Sequence, residues 1–106
     1  MIEKFEDVTA VAKANIYFDG KVVSHAVYFK DGSRKTLGLF LPGTYEFGTA
    51  DAEIMDMTDG LCEVLLPGET EWKEVKAGEK FEIPANSKYG LRCYVPVQYV
   101  CSYIKA

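Results

Sequence analysis

Paired turn residues recur along this chain at intervals too short for long helices, and this spacing limits the fold more than any other feature. Runs of roughly 8–12 residues lie between the pairs, and in segments such as 54–58 apolar and polar residues largely alternate, which is typical of a half-buried strand. About ten short strands separated by turns predict an all-β barrel or sandwich. The turn pairs are Asp19-Gly20, Asp31-Gly32, Pro42-Gly43, Asp59-Gly60 and Pro67-Gly68. Asp31-Gly32 predicts a two-residue hairpin turn of the primed type between strands 21–30 and 35–41, Asp59-Gly60 repeats this signal, and the stretch 38–60 is predicted to form a hairpin corner.

Length and charge limit the class of protein further. The chain has 106 residues, which suffice for one hydrophobic core, and a formal net charge of −4. This charge argues against a nucleic-acid polymer bound through many phosphates, and no apolar run approaches the roughly 20 residues of a membrane helix. We therefore expect one domain over residues 16–106, with no nucleic-acid or membrane partner.

Residues 1–15 are predicted to form an N-terminal arm. They could make one helical turn around Val8 and Val11, or lie extended across a neighbouring subunit. Acidic residues such as Glu3 and Glu6 stand where a secretory signal would carry a cationic start and an apolar run, so we expect a cytoplasmic protein.

The three cysteines are an odd number without a Cys-x-x-Cys pair, and each lies in an apolar strand pattern. Buried free thiols are the expectation for Cys62, Cys93 and Cys101.

The stretches from Gly38 to Gly60 and from Gly78 to Cys93 resemble the two cupin motifs in their glycine and proline spacing. The metal-ligand positions of those motifs, however, hold Thr44, Glu46, Glu53 and Tyr89. Because this set offers oxygen atoms instead of imidazole or thiolate, we expect no bound metal and no other cofactor.

Several short sequence motifs, spread over roughly residues 15–104, are similar to those of the small bacterial cupins known as pyrimidine/purine nucleoside phosphorylases. This resemblance implies a homodimeric, single-domain cupin barrel of the jelly-roll type. It also implies broad-specificity cleavage of nucleosides by inorganic phosphate, giving free base and ribose 1-phosphate. These motifs are Tyr17-Phe18-x-Gly20-Lys21-Val22, Gly43-x-Tyr45-x-Phe47-x-Thr49-Ala50, Leu65-Leu66-Pro67, Ala77-Gly78 and Tyr99-x-Cys101-x-Tyr103.

Strand parity decides which candidate residues face the barrel lumen. If the cupin ligand positions point inward, Glu46, Tyr89 and Thr44 are the catalytic candidates, above a floor of Met55, Met57 and Phe81. If the 44–49 strand is shifted or read by hydrophobicity, Tyr45, Phe47 and Thr49 point inward and Glu46 points outward. The first arrangement is our leading prediction.

The candidates for substrate binding also have ordinary structural explanations. An aromatic wall suits a broad choice of base, because every base has a π-face. Aromatic strand residues are nevertheless commonly core residues, and polar turn residues commonly bond their own backbone. His25 and Arg92 are expected to be structural or exposed, whereas Arg34 and Lys35 are additional available cations. The predicted substrate-binding residues are Tyr45, Phe47, Thr49, Asp51, Ser87 and Lys21.

Two other functions remain open at this point. A metal-free cupin could isomerise or epimerise a sugar or nucleotide sugar, which normally requires a His or Lys base in the lumen. Alternatively, it could bind such a ligand without catalysis. The cupin fold hosts all of these functions.

Overall fold

The computed structural model describes residues 1–105 and consists almost entirely of β-strands. One short 3-10 turn spans Phe18–Gly20. The strands are β1 (Thr9–Ala10), β2 (Asn15–Tyr17), β3 (Val22–Tyr28), β4 (Arg34–Phe40), β5 (Gly43–Gly48), β6 (Ala52–Asp59), β7 (Leu61–Leu65), β8 (Lys73–Lys76), β9 (Lys80–Ile83), β10 (Lys88–Cys93) and β11 (Val97–Ile104).

The strands form two antiparallel sheets. The larger sheet has the order β1-β3-β4-β11-β6-β9, with β2 also paired to β3, and the smaller sheet has the order β5-β10-β7-β8. The all-β prediction is confirmed, but the two sheets do not close into a continuous barrel. The architecture is a β-sandwich whose two inner faces build the core.

Two predicted hairpins are wrong as to strand pairing. We read the 38–60 stretch as a hairpin corner and Asp59-Gly60 as a hairpin turn. Instead β4 and β6 belong to the larger sheet while β5 and β7 belong to the smaller one, so the chain crosses between sheets at each junction. Gly60 has φ +86°, and a β-carbon there would overlap the chain at Val97. The glycine therefore makes a corner between the sheets.

The Asp31-Gly32 turn does join β3 to β4 as predicted, but by a longer connection than two residues. The Gly32 N–H donates to Phe29 O over 3.0 Å, and the Phe29 N–H donates to Ser33 O over 2.9 Å. The Asp31 carboxylate accepts a bond of 2.6 Å from the Ser33 hydroxyl. This local network replaces the primed two-residue turn.

The core lies between the sheets. Met55 and Met57 from β6 pack in the same buried cluster as Cys62 and Val64 from β7, so these four residues share the interior across the sandwich instead of one sheet face. All three cysteines are free and buried, as predicted. Burial raises the pKa of the Cys62 thiol to about 12, so it stays protonated at neutral pH.

The N-terminal segment lies extended and contains no helical turn. Thr9 and Ala10 pair with β3, and the Val11 N–H donates to Ala26 O over 2.9 Å. Phe5 packs edge-on against Phe29, with ring centroids 5.3 Å apart. Within residues 1–105, none of the helical structure is long and apolar enough to cross a membrane.

Candidate active site

A cavity of about 220 Å³ lies between the two sheets. Its wall is unusually polar for the interior of a small sandwich, since it combines a carboxyl group, a thiol, two aliphatic hydroxyls and four phenols. We call it the inter-sheet cavity. Its polar lining is Tyr17, Ser24, Thr36, Glu53, Tyr89, Tyr99, Cys101 and Tyr103, and its apolar lining is Val22, Phe40, Phe47, Gly48 and Met55.

Strand order explains how the larger sheet contributes most of this wall. Strand β11 lies between β4 and β6, and Tyr103 stands directly opposite Glu53. Two residues along, Cys101 stands opposite Met55 on one side and Thr36 on the other. Because side chains two apart on a strand share a face, these rows all point into the cavity.

Glu53 is the carboxyl group of the cavity. The Cys101 thiol donates a hydrogen bond of 3.5 Å to Glu53 Oε1. Burial is the largest effect and raises the pKa of Glu53, and the nearby charge of Asp51 raises it further; the thiol and the positive charge of Arg34 oppose this rise. Glu53 therefore holds its proton to a higher pH than an exposed glutamate does.

Three phenols of the cavity, those of Tyr89, Tyr99 and Tyr103, stay neutral. Burial raises the pKa of Tyr103 to about 12, and burial also raises the pKa of Tyr89 and Tyr99. The charge of Glu53 adds to the rise at Tyr89, which faces it from the smaller sheet. Tyr103 and Thr36 share a hydrogen bond of 3.1 Å between their hydroxyl groups. The cavity thus presents several neutral hydroxyl groups that can donate hydrogen bonds.

Gly38 makes room for the Tyr99 ring. A β-carbon at position 38 would overlap that ring, and the two residues stand opposite each other on β4 and β11. The motif glycine therefore has a steric role, and only this residue type allows Tyr99 to lie flat against the sheet.

Strand β5 has the opposite orientation from our leading prediction. Tyr45 is only 4% exposed and belongs to the core, while Thr44 and Glu46 are exposed on the outer face of the smaller sheet. The reason is burial: two aromatic rings in the core remove far more apolar area from water than Thr44 and Glu46 would, and an inward Glu46 would meet the ring of Phe40. The alternative parity, with Tyr45, Phe47 and Thr49 inward, is the one observed.

Of the other predicted site residues, Phe47 and Tyr89 line the cavity. Their rings stack with centroids 5.6 Å apart and form an aromatic wall. Lys21 and Asp51 are exposed and do not line it, although the charge of Asp51 is felt at Glu53.

Three further predicted residues have structural contacts instead of lining the cavity. The Tyr45 hydroxyl donates to Leu41 O over 2.6 Å. The Thr49 hydroxyl donates to Pro84 O over 2.7 Å and accepts from the Ser87 N–H over 3.1 Å. Thr49 and Ser87 thereby fasten the loop after β5 to the loop before β10.

The turn between β2 and β3 lies beside this site with a strained backbone. Phe18 and Asp19 have φ of 52° and 56°, a left-handed conformation that a bulky side chain such as that of Phe18 rarely adopts. The Phe18 ring packs 5.4 Å from that of Phe47, and the preceding residue, Tyr17, lines the cavity while remaining half exposed.

Sequence reasoning missed most of the polar lining. Glu53 was placed by the cupin spacing and shares strand parity with Met55 and Met57, so the signal for an inward carboxyl was present. Tyr99 and Tyr103 belong to one of the motifs shared with the family, but nothing in the sequence indicated a role for either residue. Among residues 1–105, no three His, Cys, Asp or Glu side chains come together in a metal-binding group.

Comparison with known proteins places this chain clearly. The family model of pyrimidine/purine nucleoside phosphorylase matches residues 12–103. A relative of that name from Hydrogenovibrio crunogenus is 58% identical over 103 residues, covering 97% of this chain and 99% of the relative. A crystal structure of a protein of unknown function from Acinetobacter sp. ADP1 superposes with a TM-score of 0.94 at 37% identity, covering 95% of this chain and 98% of that one.

A more distant structure identifies the fold. An RmlC-like cupin from Shewanella frigidimarina superposes with a TM-score of 0.69 at 15% identity, covering 89% of this chain and 84% of that one. The predicted cupin fold is confirmed by this likeness, in the form of a two-sheet sandwich. Because the family model matches residues 12–103, which are most of this chain, the chain belongs to the pyrimidine/purine nucleoside phosphorylase family.

Proposed function

We propose that this protein is a nucleoside phosphorylase that cleaves purine and pyrimidine nucleosides with inorganic phosphate. The observation that carries the proposal is the inter-sheet cavity, where the carboxyl of Glu53, whose pKa is raised by burial, shares the wall with the aromatic rings of Phe47 and Tyr89 in a chain of this family. A carboxylic acid beside a stacking surface suits a reaction in which a base must leave.

The reaction moves two bonds and one proton. A phosphate oxygen bonds to C1′ of the ribose while the C1′–N bond to the base breaks, and the electron pair of that bond passes to the base. The departing base needs a proton, and Glu53 supplies it as the general acid in this proposal. Tyr89, which faces Glu53, is proposed to give the base a ring face on which it stacks.

Broad base specificity follows from the kind of contact available. The ring faces of Phe47 and Tyr89 can stack on any base, because stacking does not read the pattern of donors and acceptors on the base edge. Thr44 and Glu46, which we predicted as catalytic, lie outside this cavity and have no part in the proposed chemistry. Glu46 is accordingly a useful control position.

We also propose that the enzyme acts as a cytoplasmic homodimer, with residues 1–15 as an arm on a cupin domain of residues 16–106. A groove of about 870 Å³ runs between residues 1–10 and the outer face of the larger sheet. Apolar side chains such as Val23, Leu37 and Leu39 line it, and a second copy would cover them. Light scattering should then give twice the chain mass, whereas a monomer would contradict the dimer.

Release of free base tests the activity directly. Uridine and inosine are each incubated with the chelator-treated protein, with and without inorganic phosphate. We expect base and ribose 1-phosphate from both nucleosides, strictly dependent on phosphate and unaffected by the chelator. Release without phosphate would indicate a hydrolase, and no release from any nucleoside would refute the proposal.

A further inference from the structure

We propose that Arg34 is the phosphate-binding residue of the inter-sheet cavity, and that its guanidinium binds the phosphate co-substrate beside Tyr103. This inference rests on the proposed phosphorolysis and adds to it the site of the second substrate. Arg34 is the first residue of β4, two positions before the cavity-lining Thr36, so it shares the parity of that residue. Its side chain is exposed and does not line the cavity; it lies at the edge of the cavity, against the lining residue Tyr103.

The guanidinium of Arg34 is held in place by an aromatic ring. Its Cζ atom lies over the Tyr103 ring, 4.4 Å from the ring centre, which is a cation–π contact. Tyr103 stands opposite Glu53 on the next strand, and its hydroxyl bonds that of Thr36. Because neighbouring strands are about 4.8 Å apart, the backbones of Arg34 and Glu53 are separated by about 10 Å across β11. The guanidinium and the Glu53 carboxyl therefore lie on either side of Tyr103 on the same face of the larger sheet.

The guanidinium of Arg34 has no hydrogen-bond or ion-pair partner among residues 1–105. Among residues 1–105 no carboxylate lies within 4.0 Å of its guanidinium, although other cations of this chain do have such partners. The cation–π contact with Tyr103 pairs none of the guanidinium N–H donors with a hydrogen-bond acceptor. The planar guanidinium is a fork of donors that can give two parallel hydrogen bonds to two oxygens of a phosphate, whereas the ammonium group of a lysine lacks this planar geometry.

The other candidate cations point elsewhere. Arg92 also stacks on an aromatic ring, that of Trp72 at 4.2 Å, but its Nε already donates to Glu63 over 2.9 Å on the smaller sheet. Lys35 has the opposite parity to Arg34 and lies near Phe5, 5.6 Å from the centre of its ring. Lys21, which we predicted to bind substrate, is exposed like Arg34, but within residues 1–105 it has no cation–π contact with a ring of the cavity wall, whereas Arg34 has one with Tyr103.

A phosphate bound at Arg34 would also favour the protonated form of Glu53, the proposed general acid. The positive charge of Arg34 now lowers the pKa of Glu53, in opposition to burial. A bound phosphate cancels that charge and adds a negative one nearby, so the pKa of Glu53 rises and the proton needed by the leaving base is held more firmly. Binding of the nucleophile and protonation of the acid thus favour each other.

The test combines kinetics with direct binding of inorganic phosphate. Arg34→Gln removes the charge and the fork, Arg34→Lys keeps the charge alone, and Arg92→Gln is the matched control, an arginine stacked on an aromatic ring outside the cavity. We expect the KM for phosphate to rise at least about tenfold in Arg34→Gln and less in Arg34→Lys, with the KM for uridine unchanged and Arg92→Gln like wild type. Calorimetric titration with phosphate should show the same order of affinities.

The outcomes separate this inference from the proposed activity. If wild type releases no base but binds phosphate, and Arg34→Gln does not, the phosphate site stands although the activity fails. If wild type is active and Arg34→Gln keeps its phosphate KM and affinity, the inference is overturned, as it is when wild type binds no phosphate. Equal loss for phosphate and uridine would also overturn it. Unfolding temperatures are measured throughout, and if Arg34→Gln does not fold, the phosphate KM of Arg34→Lys decides alone: a rise supports the site and an unchanged value refutes it.

Discussion

Replacing Glu53 by Gln should make the protein slower and more stable at the same time. The amide keeps the size of the side chain and retains an oxygen that can accept the Cys101 thiol proton, now donated over 3.5 Å. It cannot deliver a proton to the leaving base. General acids contribute about 10²–10⁴-fold, so we expect kcat to fall at least about 100-fold, equivalent to about 2.7 kcal/mol of activation free energy.

The stability change has the opposite sign because the pKa of Glu53 is raised in the folded protein. Such a group favours folding most below its unfolded pKa, and this contribution is lost as pH rises through the folded pKa. Above that range the folded protein carries the unfavourable cost of a desolvated carboxylate, which Gln does not have. At pH 8 the variant should therefore have a free energy of unfolding roughly 0.5–2 kcal/mol higher than wild type, and it should unfold at a higher temperature. This gain in stability should vanish at low pH.

Steady-state kinetics from pH 4 to 9, together with thermal unfolding over the same range, check both halves. Wild-type kcat should decline as Glu53 loses its proton, and this limb should be absent from the profile of the variant. Glu46→Gln, on the outer face of β5, is the control and should match wild type in both measurements. A Glu53→Gln enzyme within threefold of wild-type kcat, with the alkaline limb retained, would refute the assignment of the acid.

Three other changes probe the cavity and its support. Gly38→Ala should force the Tyr99 ring out of place, lowering stability by about 1–3 kcal/mol and reducing activity, as thermal unfolding and base release will show. Tyr45→Phe should cost about 1 kcal/mol through the lost bond to Leu41 O but leave kcat unchanged, and a large kcat effect would mean that Tyr45 contacts substrate. Lowering the pH through the pKa of Glu53 should tighten phosphate binding in wild type more than in Glu53→Gln, measured by calorimetry; the phosphate ion titrates identically in both, so equal pH dependence would contradict the coupling.

Local sequence signals predicted the strands better than their partners. The alternation over 54–58 correctly gave the buried face of β6, because that pattern depends only on which side of the strand meets the core. The Asp59-Gly60 pair marked a real change of direction, but the same turn chemistry serves a hairpin and a crossing between sheets. Which strand lies beside β6 is decided by packing with β9 and β11, far away in the chain.

The orientation of β5 shows where motif spacing and burial compete. Counting from Gly38 assigned Glu46 to a ligand position, whereas the hydrophobic pattern assigned Tyr45 and Phe47 to the interior, and burial decided. Glu53, the next residue of the motif, did keep its inward position. One half of the cupin constellation is thus retained in the cavity and the other half is turned to the outer surface.

The placement of the proposed acid, Glu53, and of the proposed phosphate-binding residue, Arg34, depends on the strand that joins them. Arg34 and Glu53 are 19 positions apart on strands that do not pair with each other, and Tyr103, near the end of the chain, lies between them because β11 is inserted between β4 and β6. The sequence therefore does not show that these two side chains are neighbours in space, because their proximity depends on the position of β11. The last strand therefore does more than complete the sheet: its Tyr103 ring holds the guanidinium at one side and faces the carboxyl at the other. On this geometry the distance between nucleophile and acid is set by the width of one strand, a rigid element, and not by a loop.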